Sequence, residues 1–120
     1  MSEERGVDLE AERRTRIEKA LARIAELDPT WAQMFDRYVL SGMYERTVVD
    51  QKTRELCAVA ALCVLDRRSP LRDHMKGAIR NGASEAEVVE VLVQTSVYGG
   101  FPVALSGLEA WREVKVELGL

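Results

Sequence analysis

From His74 to Pro102 the chain carries its own punctuation, and that stretch limits the fold more than any other. An apolar-periodic segment ends at Asn81-Gly82. Ser84-Glu85-Ala86-Glu87 follows and has the form of a capping box, with Glu three residues after a Ser cap. A second apolar segment then runs to Gly99-Gly100-Phe101-Pro102. Glycine suits the left-handed position after a helix, and proline suits the first turn of the next one. The stretch therefore reads as helix, turn, helix, break, helix. It also holds His74, the only histidine among 120 residues.

The remaining segments are helical too, with no sustained alternation of strand length. Residues 8–27 place Ile17, Ala20, Leu21, Ile24 and Leu27 at helical spacing among charged neighbours. This predicts an amphipathic N-terminal arm over 1–27 with a solvated charged face. Asp28-Pro29 predicts a cap and helix start, with Trp31, Met34, Phe35, Tyr38 and Val39 buried, until Ser41-Gly42 interrupts. Asp50 can cap a third, central helix over 51–66, the most apolar of the chain. Ser69-Pro70 predicts the start of a fourth helix. The sixth, 102–118, carries Leu105, Leu108, Trp111, Val114 and Leu118. The expected architecture is all-α: a compact bundle of about six helices, with 28–120 forming one domain behind the arm. The fifth helix, with Val88, Val89, Val91, Leu92, Val93 and Val97, has little polar surface. A small subunit buries such a helix most simply by self-association.

Composition narrows the partners. Hydrophobic residues make up 47% and aromatics 6%, and the net charge is −3 with no basic patch, so nucleic acid is not an expected partner. The longest apolar run, Leu56 to Leu65, is too short to span a bilayer, and residues 1–7 lack a signal-peptide core. Cys57 and Cys63 sit roughly 600° apart around one helix, so they cannot bridge within it. They are expected as buried, reduced thiols of a cytoplasmic protein. One His without clustered Cys gives no metal-ligand set, and no phosphate loop or dinucleotide fingerprint is present. No cofactor is expected.

Three groups could carry chemistry. His74 shares its helix face with Leu71, Met75 and Ala78, so its ring points at least partly inward. It is either a hydrogen-bonded core histidine or an acid–base group, since imidazole titrates near neutrality. Glu55 opens the most apolar helix, where a carboxylate either compensates the helix dipole or is paired inside. Gln94 and Tyr98, four residues apart on one helical face, are the polar members of the apolar fifth helix. They either pack and bond at an interface or, with Phe101, wall a pocket. Arg46, Arg54 and Arg72 are candidates to hold a substrate carboxylate.

The order His74, small residue, Asn81-Gly82, Ser84-x-x-Glu87, Gln94, Tyr98-x-Gly100-x-Pro102 resembles the carboxymuconolactone decarboxylase family. The resemblance covers roughly residues 40–115. It implies an all-helical subunit of the alkylhydroperoxidase-D-like superfamily, assembled as a homotrimer or homohexamer. It also implies a Glu nineteen residues before the motif His, which is Glu55 here. The family's eponymous enzyme decarboxylates γ-carboxymuconolactone in aromatic catabolism, through the β-ketoadipate pathway. The implied activity is thus a cofactor-independent carboxy-lyase acting on a small cyclic or lactone carboxylate. His74 and Glu55 would be catalytic, and Gln94, Tyr98, Phe101 and Arg54 would bind substrate. The peroxidase branch of the superfamily needs Cys-x-x-Cys before the His, at positions occupied here by Arg67 and Pro70. Thiol peroxidase chemistry has no site. The alternatives are a related decarboxylation, proton transfer or rearrangement in a biosynthetic pathway, and a non-catalytic oligomeric binding module.

Overall fold

The computed structural model of the protein describes residues 9–120, and side chains at position 11 and from 14 onward. The first eight residues of the expected arm lie outside the described residues. Six α-helices follow in order: α1 Leu9–Leu27, α2 Pro29–Phe35, α3 Gln51–Val64, α4 Arg68–Arg80, α5 Glu85–Gly99 and α6 Phe101–Leu118. There is no strand among the described residues. The chain divides between Val48 and Val49 into two compact units.

In the first unit, Asp28 caps α2 by accepting from the Trp31 amide at 3.0 Å, and Pro29 occupies the first turn. The helix widens to π geometry over Asp36–Leu40 and stops at Ser41-Gly42. The expected burial of its apolar residues is corrected. Trp31 is 48% exposed and Tyr38 70%, Met34 and Phe35 are also exposed, Val39 is only half-buried, and Ala32 alone is buried. A unit of this size has too little chain to close a core. Trp31 and Phe35 instead lie against each other, ring centroids 5.7 Å apart.

The second unit is a four-helix arrangement in which α3 and α6 each pack against both α4 and α5. Its core is made by one line of residues per helix. On α3 the line is Glu55, Val59 and Cys63; on α4 Leu71, Met75 and Ala78; on α5 Val88, Leu92 and Thr95. On α6 it is Ala104, Gly107, Trp111, Val114 and Leu118. Leu92, Met75 and Val59 are fully buried, each contributing roughly 1.5–3 kcal/mol by apolar burial. Small residues on α6 let it approach closely. A Cβ at position 107 would lie 2.6 Å from Cys63 Sγ and 3.0 Å from Leu92 Cδ2, so glycine is required there.

The turns follow the sequence signals, with two shifts. Asp50 caps α3 through the Thr53 amide at 2.8 Å, and the helix ends at Val64 rather than 66. α4 begins at Arg68, with Arg67 at the cap and no side-chain cap bond, so Ser69 is not the cap. Pro70 still falls in the first turn, where amides lack helical partners in any case. Gly82 is left-handed at φ +97, and paired bonds from Gly82 to Ile79 and from Ala83 to Ala78 close the end of α4. The capping box of α5 is complete: Glu87 N donates to Ser84 Oγ at 3.0 Å, and Ser84 N donates to Glu87 Oε1 at 2.9 Å. Gly100, at φ +93, turns α5 into α6.

One further expectation is corrected, and one apolar residue of α6 faces outward. Cys63 is buried, whereas Cys57 is exposed, because it lies about 200° around α3 from Glu55 and faces away from the core line. Leu105 is 60% exposed, being one residue off the Ala104–Gly107–Trp111 line.

Candidate active site

The α4 helix presents three faces, and their angular order builds the site. Leu71, Met75 and Ala78 point into the core. On one flank, Arg68, Arg72 and Lys76 recur at four-residue spacing and meet α6: Arg68 Nη2 bonds Glu113 Oε2 at 2.8 Å, Arg72 bridges Glu113 and Glu117, and Lys76 pairs with Glu117. On the other flank, toward α3, stand His74 and, one turn on, Gly77.

Glu55 occupies the first position of the α3 core line and is 3% exposed. A carboxylate at an apolar position must be paired or give up its charge. It is paired: Glu55 Oε2 lies 3.1 Å from His74 Nδ1. Of the two readings open for Glu55, a dipole-compensating surface group and an internal pair, the geometry selects the internal one. The imidazole is 29% exposed and so reaches from the buried carboxylate toward the surface. An ionised carboxylate only accepts, so in that form Glu55 would take a hydrogen bond from a protonated Nδ1. The carboxylate also lies against the backbone of Gly77, where a Cβ would fall 2.8 Å from Glu55 Cδ and 3.0 Å from Arg80 Nη2.

The other candidates lie elsewhere. Arg54 is half-buried, beside Glu55 on α3. Arg72 is committed to the ion ladder with α6. Gln94, Tyr98 and Phe101 are exposed on α5 and the start of α6, Tyr98 and Phe101 at 76% each. Among the described residues no hydrogen bond joins Gln94 or Tyr98 to the Glu55–His74 pair. Val93, Val97 and Leu105, on the same two helices, are exposed as well. Gly77 and Arg80 were not singled out by sequence reasoning. The readable signal for them was a glycine inside a helical pattern, one turn beyond the only histidine.

Electrostatics elsewhere in this unit are those of helix ends and ion pairs. The Lys76 ammonium holds the Glu117 carboxyl below the usual carboxylate range. The Ser84 amide, followed by Lys52, does the same for Glu87 at the capping box. No group of three or more His, Cys, Asp or Glu among the described residues is placed to hold a metal. No helix among them is long and apolar enough to cross a membrane.

Comparison with known proteins gives one family. The family model for the carboxymuconolactone decarboxylase family matches residues 29–113, more than half of the chain. A 4-carboxymuconolactone decarboxylase of Acinetobacter baylyi is 24% identical over 104 residues, covering 87% of this chain and 78% of that protein. An uncharacterized 15.0 kDa protein of Paracoccus denitrificans is 32% identical over 76 residues, 62% of this chain and 57% of that one. A nitrosuccinic acid decarboxylase of Metarhizium robertsii is 24% identical over 92 residues, 77% and 64% respectively. The chain thus spans less than two thirds of the length of the last two.

Proposed function

This chain belongs to the carboxymuconolactone decarboxylase family, and on that premise we propose that it is a cofactor-independent carboxy-lyase for a small organic acid, with His74 as its acid and Glu55 as the group that orients it. The observation that carries the reading is the 3.1 Å contact between His74 Nδ1 and a carboxylate buried to 3% exposure. A buried charge is costly unless it is paired, so its retention in a core line is more than the bundle needs.

The two decarboxylases similar to this chain are named for different acids, 4-carboxymuconolactone and nitrosuccinic acid. The chemistry they share defines the substrate class. Each acid can lose its carboxylate because the electron pair left behind passes to a neighbouring acceptor, an unsaturated lactone in one and a nitro group in the other. In the lactone case the C–C bond to the carboxylate breaks and carbon dioxide leaves. The electron pair moves through the ring onto the carbonyl oxygen, and carbon is then reprotonated. His74 Nε2 supplies that proton and regains it from solvent, while Nδ1 keeps its proton against Glu55 throughout. Before transfer, the same Nε2–H stabilises the developing oxyanion. Gln94, Tyr98 and Phe101 are proposed to position the acid, with Arg54 taking its carboxylate. Their exposure is consistent with a wall completed by another copy of the chain, since Val93, Val97, Tyr98, Phe101 and Leu105 leave an apolar surface at the α5–α6 turn. The proposed assembly is a homotrimer or homohexamer.

The test is direct. Purified protein is given 4-carboxymuconolactone and, separately, nitrosuccinic acid, and carbon dioxide release is followed. Turnover of either that is lost in His74→Gln supports the reading. Turnover unaffected by that change overturns the role given to His74, and no turnover with any acid of this class favours the non-catalytic binding module. The exposed Cys57 and buried Cys63 stand on α3 and supply no vicinal pair at 67 and 70, so thiol-dependent peroxide turnover is not part of the proposal.

A further inference from the structure

We propose that Gly77 is a positioning residue for the Glu55–His74 pair: the space left by its missing side chain is the socket that holds the Glu55 carboxylate against His74 Nδ1. Position 77 lies one turn beyond His74 on the same flank of α4 and is buried. A Cβ there would fall 2.8 Å from Glu55 Cδ and closer still to Oε2, the same oxygen that bonds His74. It would also crowd Arg80 Nη2 at 3.0 Å. Real Cβ atoms essentially never come so close to another atom as this one would to the carboxylate, so the carboxylate must move. The carboxylate is the end of a side chain that can swing, so a Cβ displaces the hydrogen bond rather than the helix. With Oε2 displaced, a proton on Nδ1 loses its carboxylate acceptor, and the preference for that tautomer weakens.

The backbone does not require glycine at 77. Gly77 lies inside α4 and is not among the positive-φ residues, so an alanine would fit the helix conformation. Alanine is the better helix former, and without a clash Gly77→Ala would raise thermal stability. The requirement comes from the Glu55 side chain, not from the local fold. The effect on the imidazole is independent of activity, whereas its effect on catalysis rests on the reading of His74 as the acid.

The chain has one histidine, so the imidazole resonances are assigned without ambiguity. Untagged, ¹⁵N-labelled protein gives a single pair of imidazole nitrogen resonances, whose shifts report which nitrogen carries the proton. Wild type is expected to hold the Nδ1–H tautomer when neutral, and Gly77→Ala to lose that preference. Where the acid turns over, kcat should fall at least tenfold with KM changed less than threefold. Glu55→Asp withdraws the carboxylate by one methylene and clears the socket. Gly77→Ala should therefore change the melting temperature more favourably in the Glu55→Asp background than in wild type. A Gly77→Ala protein that keeps the wild-type tautomer overturns the proposal. Should that variant not fold, the double variant decides: a folded Glu55→Asp/Gly77→Ala protein supports the socket, and an unfolded one overturns it. Absence of turnover in wild type counts against the proposed function alone, because the tautomer is read without substrate.

Discussion

Glu55 and His74 stand 19 residues apart in the chain and 3.1 Å apart in space, joined between α3 and α4 by one hydrogen bond from a core position to a half-buried ring. The proposed acid role of His74 rests on that contact. A bundle of this kind gains its stability from Val59, Met75, Leu92 and their neighbours, and Glu55 adds nothing to apolar burial. A carboxylate in the core line, paired with His74, is thus not explained by apolar packing.

The first prediction concerns that pair. His74→Gln should reduce decarboxylation by roughly 10²–10⁴-fold, the usual contribution of a positioned acid or base. Glu55→Gln should cost less, because an amide can still accept from Nδ1 while losing the charge. Groups that act as one unit are not additive, so the double variant should be little worse than His74→Gln alone. Steady-state kinetics on the three proteins decides. Multiplying losses would show that the two residues work separately.

How much of this could be read from sequence depends on whether the cause was local. The caps at Asp28, Asp50 and Ser84 and the glycine at 82 were legible because each is fixed by residues within one turn. Periodicity also placed Met75 and Val114 in the core. It did not separate the α3 line through Glu55, Val59 and Cys63 from its back, so Cys57 was expected inside and is outside. Nor does it say whether a unit is large enough to cover its apolar face, which is why Trp31 and Tyr38 are exposed. Glu55 with His74 came from the family resemblance, not from spacing. Gly77 escaped altogether, because what forbids a side chain there is a residue on another helix.

A second prediction tests the α4–α6 ladder of Arg68, Arg72 and Lys76 with Glu113 and Glu117. Glu117 is held below the usual carboxylate range, chiefly by Lys76. A carboxyl lowered on folding contributes stability that is present above its unfolded pKa and is lost as the pH falls through the folded one. Glu117→Gln should therefore lower the melting temperature at neutral pH. The gap to wild type should close in acid, below the ordinary glutamate range of about 4. The pairs are partly exposed, so each contributes about 0.2–1 kcal/mol and should weaken in molar salt. Equal gaps at pH 7 and pH 3 would contradict this account.

A third prediction concerns α5. Ser84→Ala removes the acceptor for the Glu87 amide and should cost about 1 kcal/mol in denaturant unfolding. Glu87 also pairs with Lys52 across to α3 at 3.2 Å, so Glu87→Ala should lose both the reciprocal cap bond and that link. Urea midpoints of the two single variants and the double should show them to be coupled, since they share one cap.

The last prediction is the assembly state. Val93 and Val97 lie one turn apart on α5, Phe101 and Leu105 one turn apart on α6, and all four are exposed with Tyr98 at the turn between them. Scattered surface apolars need no explanation, but five around one turn form a surface that water does not favour. A second copy of the same chain is the expected cover, so light scattering should give three or six times the 13.5 kDa chain mass. Val97→Glu puts a charge in the middle of this surface, while the side chain it replaces is 76% exposed in the subunit. The subunit should keep its helical content, and the assembly should fall apart. If Tyr98 and Phe101 also wall the site, dissociation should raise KM for the acid far more than it changes the tautomer of His74. A wild-type mass of 13.5 kDa at micromolar concentration would remove the interface and, with it, the reason for placing those two residues at the substrate.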